Sequence, residues 1–66
     1  MEIIFNNQSK EIDQASLQLT LNDLIGKEQK GIAVAVNETV VPKSQWDNYL
    51  LQQHDNVLVI KATQGG

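Results

Sequence analysis

Cysteine and arginine are both absent from this sequence of 66 residues, and histidine, proline and tryptophan each occur once. Without cysteine the chain can form no disulfide, no thiolate nucleophile and no cysteine-ligated zinc site, so packing alone must hold the fold. Without arginine, and with a net charge of −3, the chain is poorly suited to nucleic acid. We therefore expect a cationic protein surface as partner and no nucleic acid.

Long hydrophobic runs are also missing. No apolar stretch approaches the length of a membrane-spanning helix, and no charged-then-apolar leader is present. Contents of 41% hydrophobic and 20% charged residues are typical of a small soluble globular domain. We expect a cytoplasmic protein that makes no membrane contact and is a monomer when free.

Catalytic motifs do not occur in the sequence. His54 stands beside Asp55 in a polar segment, but no serine or cysteine nucleophile accompanies the pair, and a solvated turn is the preferred interpretation. Metalloprotease, paired-cysteine and phosphate-loop motifs are missing too. We predict that the chain is not an enzyme and binds no metal or cofactor itself.

The alternation of apolar and polar segments predicts the order β-β-α-β-β-β with one main helix. The strands are predicted at residues 2–6, 9–13, 32–36, 39–41 and 57–61. The second strand is polar, as edge strands often are, whereas the first and last are the most apolar and should be central neighbours. A mixed sheet wrapped around one helix is the α+β architecture called β-grasp.

Two segments need separate interpretation. The helix is predicted to begin at Thr20 as N-cap, with Asp23 three residues later, and to weaken or end at Gly26. Residues 42–51 are predicted to form a turn of helix followed by a short strand, with Trp46 packing this irregular segment onto the sheet.

Strand parity assigns the apolar residues to two faces of the sheet. The residues predicted to be buried against the helix are Ile3, Phe5, Leu24, Val57 and Val59. Leu58 and Ile60, with Ile4, point to the other face, which a single short helix cannot cover. An exposed apolar face usually marks a partner site, although Trp46 and neighbouring loops could shield it instead.

The chain ends on Gly65-Gly66, which lack side chains and can enter a narrow cleft. We expect a domain at residues 1–62 and a mobile tail at residues 63–66, in which Thr63 and Gln64 also contact the partner. Four extended residues reach roughly 13 Å. A frayed terminus is the alternative.

Taken together, the sequence resembles the ThiS family, the ubiquitin-like sulfur carriers of thiamine thiazole biosynthesis. The matching positions are Ile3-Ile4-Phe5-Asn6, Val36-Asn37, Val41-Pro42, Trp46, Asp55 and Gly65-Gly66. The resemblance implies a β-grasp carrier whose Gly66 carboxylate becomes a thiocarboxylate. It also implies three partners: a ThiF-like enzyme that adenylates the terminus with ATP and Mg²⁺, a cysteine desulfurase system that delivers sulfur, and a ThiG-like thiazole synthase that receives it.

The sequence departs from the family pattern in two places. The family usually has glycine where His54 stands, so either the turn differs or His54 adopts a left-handed backbone. Thr63 and Gln64 replace residues that are often small or apolar.

Three alternative functions stay open. A small subunit of molybdopterin synthase has the same tail chemistry, but the segment from Pro42 to Trp46 and the short length disfavour it. A ubiquitin-like protein modifier, or an interaction domain with an incidental Gly-Gly end, would also fit the tail.

Overall fold

The computed structural model describes residues 1–26 and 31–61. Its elements are β1 (Glu2–Phe5), β2 (Gln8–Glu11), α1 (Leu17–Ile25), β3 (Ile32–Val36), β4 (Thr39–Val40), a 3₁₀ helix (Lys43–Asn48) and β5 (Asn56–Lys61). The predicted order of strands around one α-helix is confirmed within these ranges. None of the helices there is both long and apolar enough to cross a membrane.

The five strands form one mixed sheet in the order β2-β1-β5-β3-β4. β1 and β5 are adjacent and parallel, while the other neighbouring pairs are antiparallel. The prediction that the first and last strands are central neighbours is therefore confirmed, as is the edge position of the polar β2. This arrangement is the predicted β-grasp sheet.

Both hairpins turn on two residues with left-handed backbones. Asn6 and Asn7 have φ values of 48° and 67°, and Asn37 and Glu38 have φ values of 52° and 70°. Two left-handed residues in succession are the requirement of the type I′ hairpin, and asparagine tolerates this conformation better than most residues. The predicted strands at residues 2–6 and 9–13 left the first turn to Asn7 and Gln8, one residue too late, because the tolerance of Asn6 for positive φ was not used.

The N-cap of the helix lies four residues before the predicted one. Ser16 is the N-cap, with an extended backbone and a side chain that accepts a 3.4 Å hydrogen bond from the N–H of Leu19. Thr20 is instead buried within the helix, and its hydroxyl donates to the carbonyl of Gln14 at 3.2 Å. The prediction was wrong because Leu17 is fully buried and starts the apolar face of the helix. Gly26 ends the helix as predicted, with a φ of 66°.

The core lies between α1 and one face of the sheet. Ile3, Phe5 and Val57 are buried in it, which confirms those three predictions. Leu24 and Val59 pack against the core but are only partly buried: Leu24 lies in the last turn of α1, and burial on the inner side of β5 decreases from Val57 toward Lys61. The remaining fully or largely buried apolar residues are Ile12, Leu17, Leu21, Val34, Val36, Val41, Trp46 and Leu51.

The segment between β4 and β5 packs on the helix side of the sheet. The 3₁₀ helix confirms the predicted helical turn and contacts α1. Trp46 is only 1% exposed and belongs to the core. The predicted short strand after it is a single bridge between Leu50 and Ser16. This segment therefore completes the core and leaves the opposite face of the sheet uncovered.

Candidate functional site

The outer face is the sheet surface opposite α1, and strand register defines its members. Ala35 of β3 pairs with both Leu58 of β5 and Val40 of β4, and Ala33 pairs with Ile60. Ile4 of β1 pairs with Asn56, two residues before Leu58 on the same side of the strand. The predicted docking residues Ile4, Leu58 and Ile60 are thus brought onto one surface.

Large apolar side chains are exposed on this outer face. Leu58 is 39% exposed, Ile60 is 54% exposed and Val40 is 67% exposed, while Ile4 is partly buried. Trp46 does not shield them, because it is buried in the core on the helix side. A contiguous exposed apolar surface on a small domain is typical of a protein–protein interaction site.

Sequence reasoning missed the contribution of β3 and β4 to the outer face. Val40 was assigned to a strand without a face, and the small side chains of Ala33 and Ala35 were not connected with Leu58. The signal that could have found them is the two-residue turn at Asn37-Glu38. Such a turn fixes the register of its hairpin and so places alternate residues of both strands on a known face.

Charge is distributed unevenly between the two faces of the sheet. Glu2 and Glu11 are opposite each other in the register of β1 and β2, and both lie on the same side of the sheet as Ile4, the outer face. The lysines of the described strands are Lys10 and Lys61. They are opposite Ile3 and Ile32 in the strand register, so they lie on the helix side of the sheet. The described strands therefore give the outer face carboxylates and no lysine, which favours a cationic partner surface.

A groove lies on the outer face between the two hairpin turns. Its volume is about 230 Å³, and its lining residues are Asn7, Ala35, Glu38, Asn56 and Leu58. The groove combines an apolar floor from β3 and β5 with polar side chains from the turns. It is the main feature of the outer face that parity alone did not predict.

The turn before β5 contains the only histidine of the sequence. His54 has a φ of 69°, so it adopts the left-handed backbone expected if it replaces glycine. Asp55 does not orient it: one carboxylate oxygen accepts from the N–H of Gln52 at 2.8 Å and the other from the amide of Asn37 at 3.0 Å. Asp55 therefore ties this turn to the β3–β4 hairpin, which agrees with a structural turn and not with a catalytic pair.

β5 leads toward the predicted tail. Asn6 fixes this strand through its side-chain oxygen, which accepts a 2.8 Å hydrogen bond from the N–H of Val59. The described part of the strand ends at Lys61. The predicted tail residues Thr63, Gln64, Gly65 and Gly66 lie outside the described residues.

Comparison with known proteins assigns the family. The ThiS family model matches residues 3–66. The chain is 30% identical over 66 residues to the sulfur carrier protein ThiS of Escherichia coli (strain K12), with 100% of both chains covered. The crystal structure of the thiamine biosynthesis protein ThiS from Geobacter metallireducens has the same fold, with a TM-score of 0.86 over 100% of both chains at 19% identity. The chain therefore belongs to the ThiS family, whose members are sulfur carrier proteins and not enzymes.

Proposed function

We propose that this chain carries sulfur on the carboxylate of Gly66 for thiazole formation in thiamine biosynthesis, in the cytoplasm. In this proposal a ThiF-like enzyme adenylates Gly66, a cysteine desulfurase system supplies the sulfur, and a ThiG-like thiazole synthase receives it. The observation that carries the proposal is the alignment with a named sulfur carrier over the full length of both chains, within a family match that includes Gly65 and Gly66.

Carboxylate chemistry explains why the terminus needs an activating partner. A carboxylate is a poor electrophile because its charge and resonance resist attack and its oxygen is a poor leaving group. Attack of a Gly66 carboxylate oxygen on the α-phosphorus of ATP releases pyrophosphate and forms an acyl adenylate. A sulfur nucleophile then attacks the carbonyl carbon and expels AMP, a good leaving group. ATP and Mg²⁺ belong to the partner in this scheme.

The two parts of the chain have separate tasks in the proposal. Residues 1–62 dock the activating enzyme through Ile4, Leu58 and Ile60 on the outer face. Residues 63–66 extend from β5 into the adenylating cleft, where Thr63 and Gln64 contact the enzyme. Gly65 keeps the last part of the tail thin, because any Cβ would widen it.

The experiment alters the length of the tail. Purified chain is incubated with a ThiF-like enzyme, ATP, Mg²⁺ and a sulfur donor, and pyrophosphate release is measured with the intact mass of the chain. The wild type should release pyrophosphate and gain the mass of one sulfur-for-oxygen exchange. Deleting Gly66 shortens the reach by roughly 3.5 Å, which exceeds the tolerance of near-attack geometry. Adding one residue after Gly66 should be equally damaging.

Two controls make the tail experiment interpretable. Both variants should keep the wild-type circular dichroism spectrum and the wild-type affinity for the ThiF-like enzyme, because the outer face is unchanged. Wild-type pyrophosphate release by either variant would refute Gly66 as the working group. A product joined to lysine side chains, without sulfur exchange, would identify a protein modifier instead.

A further inference from the structure

The groove on the outer face is built from two similar turns. In each turn the first asparagine ties the turn to β5: Asn6 accepts from the N–H of Val59, and Asn37 accepts from the N–H of Asn56 at 2.9 Å. The second residue of each turn, Asn7 or Glu38, lines the groove. The tied asparagines thus hold the turns in place, while the second residues are left to present their side chains.

Glu38 occupies a backbone position that favours glycine. Its φ of 70° lies in the left-handed region, which is uncommon for a residue with a long side chain. The usual sequence of a type I′ turn is Asn-Gly, so glutamate at this place carries a backbone penalty. Strained positions of this kind are concentrated at binding sites, where the side chain has a use that offsets the strain.

The polar groups of the groove have unused hydrogen-bonding capacity. Within residues 1–26 and 31–61, the carboxylate of Glu38 forms no hydrogen bond and no ion pair, and the side-chain amides of Asn7 and Asn56 form no hydrogen bond. Ala35 and Leu58 provide an apolar floor between them. The groove therefore offers several oxygen acceptors, one of them charged, around an apolar surface.

We propose that this groove receives an arginine side chain of the activating enzyme; this inference rests on the proposed function. A guanidinium has five N–H donors in one plane, which suits acceptors on two turns, and its weakly hydrated face can lie on Ala35 and Leu58. Lysine concentrates its donors at one strongly hydrated point and matches the spread acceptors less well. Glu38 supplies the negative charge of the groove, and the described strands place no lysine on the outer face to compete with a guanidinium.

The first experiment measures binding to a purified ThiF-like enzyme. Glu38→Gln should weaken binding about tenfold, as expected for loss of a charge-assisted hydrogen bond, and should reduce the dependence of the affinity on salt. Asp47→Asn is the matched control: it removes the same charge from the exposed 3₁₀ helix on the other side of the sheet, and it should leave the affinity unchanged. Equal affinities for Glu38→Gln and the wild type would overturn the proposal.

Glu38→Gly separates the side chain from the backbone. It removes the carboxylate and relieves the left-handed strain, so the thermal midpoint should rise while the affinity falls. A higher midpoint together with wild-type affinity would mean that the carboxylate has no role in docking. Loss of binding in Ile60→Lys, on the outer face but outside the groove, and not in Glu38→Gln would keep the outer face as docking site and refute only the arginine groove.

The second experiment needs no enzyme, so its result is independent of the proposed function. N-acetyl-arginine-methylamide is titrated to millimolar concentration into the labelled chain, and amide chemical shifts are followed by NMR. The shifts should concentrate at Asn7, Ala35, Glu38, Asn56 and Leu58 and disappear in Glu38→Gln. Equal shifts with the corresponding lysine amide, or shifts scattered over the surface, would contradict recognition of a guanidinium.

Discussion

The indole N–H of Trp46 donates a hydrogen bond of 2.9 Å to the carbonyl oxygen of Val41, and both residues are buried in the core. This bond joins the 3₁₀ helix to the end of the β3–β4 hairpin. It explains why the only tryptophan stands in an irregular segment, since no backbone donor of a neighbouring strand reaches that carbonyl in the described structure.

Replacing Trp46 by phenylalanine should destabilise the domain by about 3 kcal/mol, because it leaves a buried carbonyl without a donor and a cavity beside it. Thermal unfolding followed by circular dichroism measures the effect. For a domain of this size the thermal midpoint should fall by roughly ten degrees or more. Gln45→Ala, on the exposed side of the same 3₁₀ helix, should change the midpoint little. A similar midpoint for both variants would show that the indole hydrogen bond is unimportant.

The core of the sheet is tested at Phe5. Phe5→Ala removes a ring packed on the helix side and should cost about 3–5 kcal/mol, enough to unfold much of a domain this small. Ile60→Ala, on the outer face, should cost far less because the side chain is already more than half exposed. Urea unfolding compares the two. An unchanged urea midpoint for Phe5→Ala would mean that the assignment of β1 faces is wrong.

His54→Gly should stabilise the domain. Glycine adopts a φ of 69° without the Cβ penalty, which is worth roughly 1 kcal/mol after its greater unfolded-state entropy is considered. The change also removes the contact between His54 Nε2 and Glu2 Oε1 at 3.7 Å, but the two side chains are 67% and 46% exposed, and such solvent-exposed pairs contribute little. His54→Ala keeps a Cβ and serves as the control, so only the glycine variant should raise the thermal midpoint. Equal midpoints for the two variants would contradict the backbone explanation.

The outer face is tested with a charge on its apolar surface. Ile60→Lys should weaken binding to a ThiF-like enzyme by at least about tenfold, since an unpaired lysine buried against a cationic partner surface is costly. The fold should persist because Ile60 is already 54% exposed. Leu19→Lys provides the same charge on α1, away from the outer face, where Leu19 is 47% exposed. Equal binding by both variants would exclude the outer face as the docking surface.

Local sequence patterns determined a large part of this protein. Alternating apolar residues in β1 and β5 marked both faces of the sheet, and the polarity of β2 marked an edge. Gly26 marked the end of the helix. These features could be predicted because each depends on neighbours a few residues apart, and periodicity reports such neighbours directly. The family was also evident from residues spread over the chain.

The tertiary structure decided what depends on residues distant in sequence. Thr20 has the chemistry of an N-cap, but the helix begins earlier, at Leu17, which is buried against the core, and Ser16 is its N-cap. The groove needs Asn7, Glu38 and Leu58, which only the order β2-β1-β5-β3-β4 brings together. Local patterns indicated that β1 and β5 are central neighbours, but they did not place β3 and its hairpin beside β5, because that pairing is set by the burial of the whole sheet against α1. The sequence alone therefore identified the carrier fold and its apolar face, and the packing of the sheet created the groove on that face.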